Sequence, residues 1–251
     1  MFRVKAAPAA KPNVVRQSER FCREEMNYSN PVAKYITEIQ NVREVRIVGS
    51  ADIEYWCDHL ARERLSPYKK NGQAELLINA VEMKWMGINF REIVISIPVC
   101  DGEDGNSMDG YYLVQAYNSS ALLALSERAF FHTPYTHNDI EISAQVPASI
   151  RQGKGLESFF RAQMSGKGSC SGQRDEIIEG KIFIQNNKYF YAKISGAMEV
   201  CPFLVEEDTF VIETEKSHDA LQWLIESNFT GQEWHIRRDG THARSKTYQR
   251  T

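Results

Sequence analysis

Titratable side chains crowd around one proline in the middle of the chain. His132 and His137 bracket Pro134, and Asp139 and Glu141 follow at alternate positions. Alternate side chains of an extended strand project from the same face, so His137, Asp139 and Glu141 are predicted to point in one direction. An imidazole with two carboxylates can bind a divalent metal ion or can move protons near neutral pH.

This cluster has three alternative interpretations. The first is a metal site made of His137, Asp139 and Glu141, a ligand set that suits a hard or borderline divalent ion. The second is a solvated polar face, because half-buried strands commonly carry polar residues on their outer side. In the third, the cluster, together with Tyr135, lines a pocket in which the histidines act as acid–base groups near neutral pH.

A second candidate is a carboxylate within an apolar segment. In INFREIVISIPV (88–99), alternation places Glu92 on the same face as Phe90. A carboxylate on an apolar face is costly unless it is paired, and burial raises its pKa. Glu92 is therefore either a proton-transfer group in an enclosed pocket or a surface residue paired with Arg91 or Arg128.

Several motifs of common enzyme classes are absent from the sequence. There is no G-x-S-x-G nucleophile elbow, no phosphate-binding loop and no dinucleotide fingerprint. We therefore expect no cofactor.

The composition is that of an ordinary globular protein. The chain has 251 residues, a formal net charge of -3 and an apolar fraction of 42%. This charge gives no sign of a nucleic-acid-binding surface, and the apolar runs are much shorter than the ~18 residues that a membrane span needs. Five widely spaced cysteines without a CxxC pair predict a reducing compartment, taken to be the cytoplasm, rather than a disulfide framework.

The candidate functional residues lie on predicted strands that follow one another closely in the sequence. From their β-branched and aromatic content, strands are predicted over residues 42–50, 74–87, 88–99, 111–117 and 136–146. A helix capped by Ser119 or Ser120 is predicted to run to about Phe131, and Pro134 prevents its continuation.

The rest of the chain predicts shorter elements. Helices are predicted over residues 26–40 and 217–228, and residues 156–164 are predicted to form a short amphipathic piece. A hairpin is predicted over 177–196, with its turn at Gln-Asn-Asn. The polar end, RRDGTHARSKTYQRT (237–251), is predicted to fray or to lie along a sheet edge.

Together these elements predict an α+β protein. The strands and the few helices do not alternate regularly, which favours a largely antiparallel sheet that curls into a cone-shaped β-barrel with flanking helices. Residues 1–40 are predicted to form a polar N-terminal extension and residues 41–251 a single domain. A homo-oligomer is expected by analogy with β-rich enzymes that assemble through sheet edges.

The central part of the chain resembles a known family. SIPV (96–99), GYYLVQAYNSSALLALSERAFFHTPY (110–135) and the alternating strand after them resemble the centre of the acetoacetate decarboxylase superfamily. The resemblance covers about residues 42–225 and implies the cone-shaped barrel of that family.

Two spacings extend this resemblance. In the family, the strand that carries the active-site glutamate ends in a similar apolar-Pro-Val segment, and an arginine lies six residues before a later proline. Here Glu92 lies six residues before Pro98, and Arg128 lies six residues before Pro134. The resemblance therefore implies that Glu92 is the active-site glutamate.

The sequence departs from the family at its reactive amine. The family's proline is followed by two lysines, one of which forms a Schiff base with the substrate ketone, whereas Pro134 is followed here by Tyr135 and Thr136. Imine catalysis is therefore not expected at this position. Lys84 or Lys193, on other strands, is a less favoured source of an amine.

With the lysine absent, the resemblance implies an enzyme of the lyase or isomerase type that works by acid–base chemistry. We expect decarboxylation, dehydration or cyclisation of a β-keto or polyketide-like carbonyl compound, in secondary metabolism. Glu92 is expected to move the proton, Tyr135 with His132 or His137 to bind the oxygen, and Arg128 to hold Glu92 or a substrate acid.

Further residues are expected to bind the substrate. Arg46 is near the position of the family's carboxylate-binding arginine, and Asn118, Lys84 and Thr136 are expected to complete the pocket. Two other functions stay open. One is a barrel that binds a small ligand without turning it over, and the other is the metal-dependent enzyme of the first interpretation above.

Overall fold

Strands make up most of the molecule. The computed structural model describes residues 33–101, 107–153, 159–213 and 219–250. Its strands are β1 (Tyr35–Ala51), β2 (Ser66–Pro67), β3 (Lys69–Lys70), β4 (Gln73–Trp85), β5 (Ile88–Cys100), β6 (Gly110–Asn118), β7 (Tyr135–His137), β8 (Ile140–Ser143), β9 (Ser149–Gln152), β10 (Phe160–Gln163), β11 (Arg174–Ile184), β12 (Lys188–Pro202), β13 (Thr209–Ile212), β14 (Thr230–Ser245) and β15 (Tyr248–Gln249). Its helices are α1 (Ile53–Leu60), α2 (Ala121–Ser126) and α3 (Asp219–Glu226), with a 3-10 turn over Ala61–Glu63 and a π turn over Glu127–Phe131.

Seven of the described strands close into a ring. Their order is β5-β4-β1-β14-β12-β11-β6, and β6 pairs again with β5. All of these pairings are antiparallel except the one between β6 and β11. The predicted α+β fold, with a largely antiparallel sheet curled into a cone-shaped barrel, is confirmed.

The parallel seam between β6 and β11 depends on a glycine. Gly110 pairs with Lys181, and a Cβ atom at Gly110 would lie 2.3 Å from the carbonyl oxygen of Lys181. The two backbones approach here more closely than any larger residue allows.

Replacing Gly110 by Ala is expected to lower the free energy of unfolding by about 1–3 kcal/mol, because the added methyl group must push the seam apart. Urea denaturation measures this change. Gly180→Ala, on β11, is the matched control, because a Cβ there meets nothing within 4 Å. Equal stability of the two variants would contradict this view of the seam.

A second sheet and helices α1 and α3 cover the outside of the ring. The order of this sheet is β13-β10-β9-β8, and its side chains share one large apolar core with the outward face of the ring. The largest buried members of this core include Trp56 of α1, Ile93 of β5, Phe160 of β10 and Trp234 of β14. Because this core takes up one face of the long strands, their other face is left to line the interior of the ring.

Several predicted elements need correction. The structure places residues 35–40 in β1 instead of a helix, so the predicted boundary between residues 40 and 41 falls within a strand; residues 1–32 lie outside the described part. The amphipathic piece over 156–164 contributes strand β10. The polar tail does not lie at an edge, because β14 runs between β1 and β12 in the ring. Arg237, His242 and Arg244 of this tail face the interior of the ring, whereas Arg238 is exposed, and composition alone does not distinguish the two environments.

One disulfide contradicts the expectation for the cysteines. Cys170 and Cys201 are bonded, with their Cα atoms 4.1 Å apart across 31 residues of sequence. Wide spacing in sequence does not prevent proximity in a sheet, where distant segments pair. Of the other described cysteines, Cys57 is exposed and free, and Cys100 is buried and free.

The helices in the described part of the chain are all too short, or too polar, to cross a lipid bilayer.

Candidate active site

Glu92 is the carboxylate at the centre of the site. It lies on β5 with only 9% of its surface exposed. Asn118 donates a hydrogen bond from Nδ2 to Oε1 of Glu92 at 2.8 Å, and the hydroxyl of Tyr135 donates to Oε2 at 2.9 Å. Both oxygens of the buried carboxylate therefore have a neutral donor.

The strand–helix–proline segment brings these donors to Glu92. Asn118 ends β6 directly opposite Glu92, and its Oδ1 accepts from the backbone N–H of Ser120, the residue that caps α2. The chain then passes through α2 and the π turn, and Tyr135 opens β7, which pairs in parallel with β6. The capped helix was predicted, but its last turn widens into a π turn.

The pKa of Glu92 is raised to about 7. Burial of the carboxyl group is the largest cause, followed by the nearby negative charge of Glu127. The hydrogen bond from Tyr135, the charge of Arg244 and the hydrogen bond from Asn118 act in the opposite direction and limit the rise. Glu92 can therefore both accept and release a proton near neutral pH.

Burial, followed by the charges of Glu92 and Glu127, raises the pKa of Tyr135 far above its ordinary value, so the phenol stays neutral and remains a donor.

Replacing Tyr135 by Phe removes one of the hydrogen bonds that favour the ionised form of Glu92. The pKa of Glu92 is therefore expected to rise further, by up to about one unit. A carboxyl-carbon NMR titration of the variant measures the shift, and a pKa equal to or below that of the unaltered protein would contradict the assigned role of Tyr135.

An ion pair joins the π turn to β14 beside Glu92. Nη1 of Arg244 lies 2.5 and 2.6 Å from the two carboxylate oxygens of Glu127. The guanidinium carbon lies over two phenyl rings, 4.6 Å from the centre of Phe131 and 4.0 Å from that of Phe190. Stacking of this kind fixes the plane of the guanidinium group and is favourable in itself.

Two cavities meet at this cluster. The inner one, of about 140 Å³, lies within the ring, and its apolar wall includes Leu77, Val81, Val94, Leu113, Ile178 and Ile182. The outer one, of about 100 Å³, lies beside α2 and the π turn. Five residues line both: Met83, Glu92, Tyr135, His242 and Arg244. A ligand in either cavity can reach the same ionisable groups.

A second charged cluster lies further along the interior of the ring. Arg46 lines the inner cavity, and its guanidinium group is held by Glu44 at 2.6 Å, by Asn79 at 2.8 Å and by Glu176 at 3.6 Å. Arg237 pairs with the same acids, at 3.1 Å from Glu44 and 3.0 Å from Glu176. Two carboxylates and two guanidinium groups therefore balance their charges in the interior.

The structure brings four of the proposed site residues to the cavities. Glu92 and Tyr135 line both, Arg46 lines the inner one and Asn118 the outer one. Thr136 is half-buried and lines neither of the described cavities; its hydroxyl lies 3.4 Å from Nε2 of Gln115.

Four other proposed residues are exposed and lie away from these cavities: His132, His137, Arg128 and Lys84. His132 ends the π turn in a left-handed conformation, with φ of 59°. The expected pairing of Arg128 with Glu92 is corrected by the structure, in which Arg244 supplies the nearby positive charge. The less favoured amine candidate Lys193, by contrast, lines the inner cavity; it pairs with Glu179 at 3.5 Å, and its side chain is 37% exposed.

The predicted arrangement of His137, Asp139 and Glu141 on one strand face is wrong. The chain leaves the large sheet after His137 and enters the second sheet at Ile140, so the alternation is interrupted. Glu141 pairs with Arg151 of β9. No three His, Cys, Asp or Glu side chains of the described residues lie close enough together to bind a metal ion.

Three residues of the site were not predicted: Glu127, His242 and Arg244. Burial, followed by the charge of Arg244, lowers the pKa of His242 to about 4, so its imidazole is neutral at physiological pH. The alternation of His242 and Arg244 in the tail was the available signal, but nothing in the sequence indicates that this strand lies inside the ring.

Comparisons with known proteins find similarity at the level of structure. No protein-family model matches the chain, and no curated protein matches it. Among solved structures, the enduracididine biosynthesis enzyme MppR, complexed with the condensation product of pyruvate and imidazole 4-carboxaldehyde, is similar with a TM-score of 0.58 and 11% identity, over 84% of this chain and 88% of that one.

Two further structures are similar over most of their length. Acetoacetate decarboxylase from Legionella pneumophila has a TM-score of 0.56 and 9% identity, over 89% of this chain and 93% of that one. An acetoacetate decarboxylase-like enzyme from Sphingomonas wittichii has a TM-score of 0.52 and 9% identity, over 85% and 93%. With coverage this high, the similarity extends through the whole ring, and the chain has the acetoacetate decarboxylase-like fold.

Proposed function

We propose that this protein is an enzyme in which Glu92 transfers a proton at the carbon beside a carbonyl group, without a Schiff base. The observation that carries the proposal is a buried carboxyl group, in the wall of two cavities, that ionises near neutral pH. A general acid or base is most effective when its pKa lies near the working pH.

The chemistry follows from the protonation state of Glu92. As a carboxylate, Glu92 takes a proton from the carbon next to the carbonyl group, which leaves an enolate and a carboxylic acid. Return of that proton to a different carbon completes an isomerisation. In a dehydration the enolate breaks a C–O bond and the departing hydroxyl group takes the proton and leaves as water. In a cyclisation the enolate carbon bonds to a second carbonyl carbon of the same molecule, and the oxygen of that carbonyl takes the proton. In a decarboxylation, carbon dioxide leaves first and protonated Glu92 supplies the proton to the enolate carbon. Tyr135 and Asn118 hold the carboxyl group in place for either direction.

The described residues offer no amine at the position where the resemblance implies one, and the described lysine that lines the inner cavity is Lys193. Tyr135 and Thr136 occupy the place of the two lysines that the resemblance implies. Lys84 is exposed, and Lys193 is paired with Glu179. We therefore assign the reaction to acid–base chemistry on a β-keto or polyketide-like carbonyl compound.

The similar structures support an enzyme in general terms. They are an enzyme of enduracididine biosynthesis, an acetoacetate decarboxylase and an acetoacetate decarboxylase-like enzyme. At these identities they support the fold, and the assignment of proton transfer rests on Glu92 and its surroundings.

Hydrogen exchange from solvent tests this function. The protein is incubated in deuterated buffer with a panel of β-keto compounds, and NMR follows deuterium entering at the carbon beside the carbonyl group. We expect exchange catalysed by the unaltered protein and by Glu82→Gln, in which the changed carboxylate pairs with Arg91 outside the cavities. Glu92→Gln is expected to exchange at the uncatalysed rate. Exchange by Glu92→Gln at the rate of the unaltered protein would contradict the proposal.

The absent lysine also favours one second candidate, a ligand carrier without turnover. In that case an unreacted apolar ligand would co-purify with the protein. No compound of the panel would then show catalysed exchange, although binding would occur.

A further inference from the structure

Gly180 leaves a gap in the wall of the inner cavity. It lies in the middle of β11, where successive side chains alternate between the two sides of the sheet. Ile177 is 65% exposed on the outer side, whereas Ile178, Gly180 and Ile182 line the inner cavity. A glycine weakens the interior of a strand, and it commonly marks a place where a ligand or another backbone approaches closely.

The packing of the protein does not require a glycine at this position. A Cβ atom at Gly180 would meet no atom of the described residues within 4 Å. At Gly110, on the adjacent strand β6, a Cβ atom would lie 2.3 Å from a carbonyl oxygen, so the fold itself needs that glycine. Gly180 also has no positive φ that would favour glycine. The open space in front of it is therefore available to a ligand.

The register of β11 and β12 extends this space into a groove. Gly180 pairs directly with Ala192, which also lines the inner cavity. The pairs on either side are large and apolar, and their four side chains line the same cavity: Ile178 with Ile194, and Ile182 with Phe190. Two small residues therefore form the floor of a groove that has large apolar side chains on both sides.

The groove leads to the candidate active site. Ala192 pairs with Arg244 of β14, and Arg244 lines both cavities together with Glu92. Because neighbouring strands lie about 4.8 Å apart, the row from Gly180 through Ala192 to Arg244 spans roughly 10 Å. A molecule whose reacting carbon lies at Glu92 can extend along this row.

The groove suits a hydrocarbon chain. Two charged residues of the same cavity are already paired with the protein. Arg46 is held by two acidic side chains and Asn79. Lys193 pairs with Glu179. A polar group of a ligand would lose hydrogen bonds to water on entering an apolar groove, whereas a methylene group is stabilised by leaving water. The cavity, of about 140 Å³, holds at least about five groups of the size of a water molecule or a methylene.

We propose that the substrate is a β-dicarbonyl compound with an alkyl chain of about five carbons, and that Gly180 determines the chain length that the groove accepts. The proposal deepens the proposed function, on which it rests for the reacting carbonyl group, by naming the substrate class. Binding of the chain itself does not depend on proton transfer by Glu92.

Calorimetric titration of the Glu92→Gln variant with neutral β-diketones tests the proposal, because this variant is expected to bind the probes without turning them over. The probes are 2,4-pentanedione, 2,4-heptanedione and 2,4-nonanedione, which differ only in the length of one alkyl chain. We expect each added methylene group to tighten binding about threefold to fourfold.

Substitutions of Gly180 in the same background test the groove. Gly180→Val fills the space of two or three methylene groups. It is expected to weaken 2,4-nonanedione about tenfold or more and 2,4-pentanedione by less than about threefold. Gly180→Ala is expected to weaken 2,4-nonanedione by about threefold. Gly172→Val is the matched control, because it places the same side chain in open space on an exposed loop outside the described cavities. It is expected to change neither affinity.

Circular dichroism and urea denaturation check the folding of the variants. Valine is favoured in strands, and its side chain enters open space, so Gly180→Val is expected to be folded. The proposal is overturned if 2,4-nonanedione binds no more tightly than 2,4-pentanedione, or does not bind at millimolar concentration. It is also overturned if folded Gly180→Val binds 2,4-nonanedione as tightly as its parent. If the valine variant does not fold, unchanged affinity in Gly180→Ala overturns it instead.

The two proposals fail in different ways. Chain-length-dependent binding that is lost in Gly180→Val, together with absent hydrogen exchange by the unaltered protein, would overturn only the proposed function. Catalysed exchange with equal binding of all three diketones would overturn only the role of Gly180 and the groove.

Discussion

Glu92→Gln is expected to lower kcat by about 100-fold to 10,000-fold on a β-keto substrate, with a much smaller change in KM. The amide keeps the size of the side chain and can still bond to its neighbours, but it cannot take up or release a proton. General acid–base catalysis contributes a factor of this order. Steady-state kinetics of the variant measure the loss, with Glu82→Gln as the control that retains full activity.

The pH dependence of the same reaction shows whether Glu92 removes a proton from the substrate or donates one to it. Because the pKa of Glu92 is about 7, kcat/KM is expected to change near that pH. A rate that rises with pH through this value indicates proton removal by the carboxylate, and a rate that falls indicates proton donation by the acid. This inflection is expected to vanish in Glu92→Gln, and a profile without any inflection near pH 7 would contradict the role of Glu92.

The free energy of unfolding is also expected to depend on pH through the ionisation of Glu92. The folded-state pKa of Glu92 lies above the ordinary value of 4.5, so the folded protein holds more protons than the unfolded chain between these values. The stability that is linked to this raised pKa is fully present below about pH 4 and is lost as the pH rises through about 7. Above pH 7, Glu92→Gln is therefore expected to be more stable than the unaltered protein, by roughly 1–3 kcal/mol.

The second large effect is expected at the buried charges of the ring interior. Arg237→Met is expected to lower the free energy of unfolding by about 3–5 kcal/mol, because it leaves buried Glu44 and half-buried Glu176 with one positive partner fewer. The side chains of Arg237 and Glu44 are 0% exposed. Denaturation by guanidinium chloride measures the change.

The neighbouring arginine provides the matched control. Arg238 pairs with Glu199 at 2.7 Å, but its side chain is 48% exposed. Arg238→Met is expected to cost at most about 1 kcal/mol, the usual range for a surface ion pair. Equal losses in the two variants would mean that the interior cluster does not stabilise the fold as described.

The fold was predictable because apolar alternation survives in most of the ring strands. Segments such as 88–99 and 111–117 are rich in β-branched and aromatic residues. The side chains on the outward face of these strands pack into the main core. The capped helix and Pro134 fix the course of the chain between β6 and β7, and this local chemistry can be read from sequence. Glu92 and Tyr135 can therefore be predicted as site residues from the sequence, although the contact between them cannot.

The rest of the site depends on facts that lie beyond local pattern. The alternating stretch after Pro134 looks continuous, but the chain changes sheets between His137 and Ile140, so the expected metal cluster does not form. His242 and Arg244 lie in a tail whose polarity is typical of a solvated edge. They belong to the site because β14 pairs with β1 and β12, and the residues paired with His242 and Arg244 lie more than forty positions away in sequence. Pairings between distant segments of this kind cannot be read from one sequence.

The ionisation of Glu92 is the property from which the proposed chemistry follows. Carbon-13 NMR of protein labelled at the glutamate carboxyl carbons can follow every glutamate through a pH titration, and the spectrum of Glu92→Gln identifies the signal that is lost. The account predicts that this signal titrates with a pKa of about 7. A signal that titrates at the ordinary value of 4.5 would contradict it.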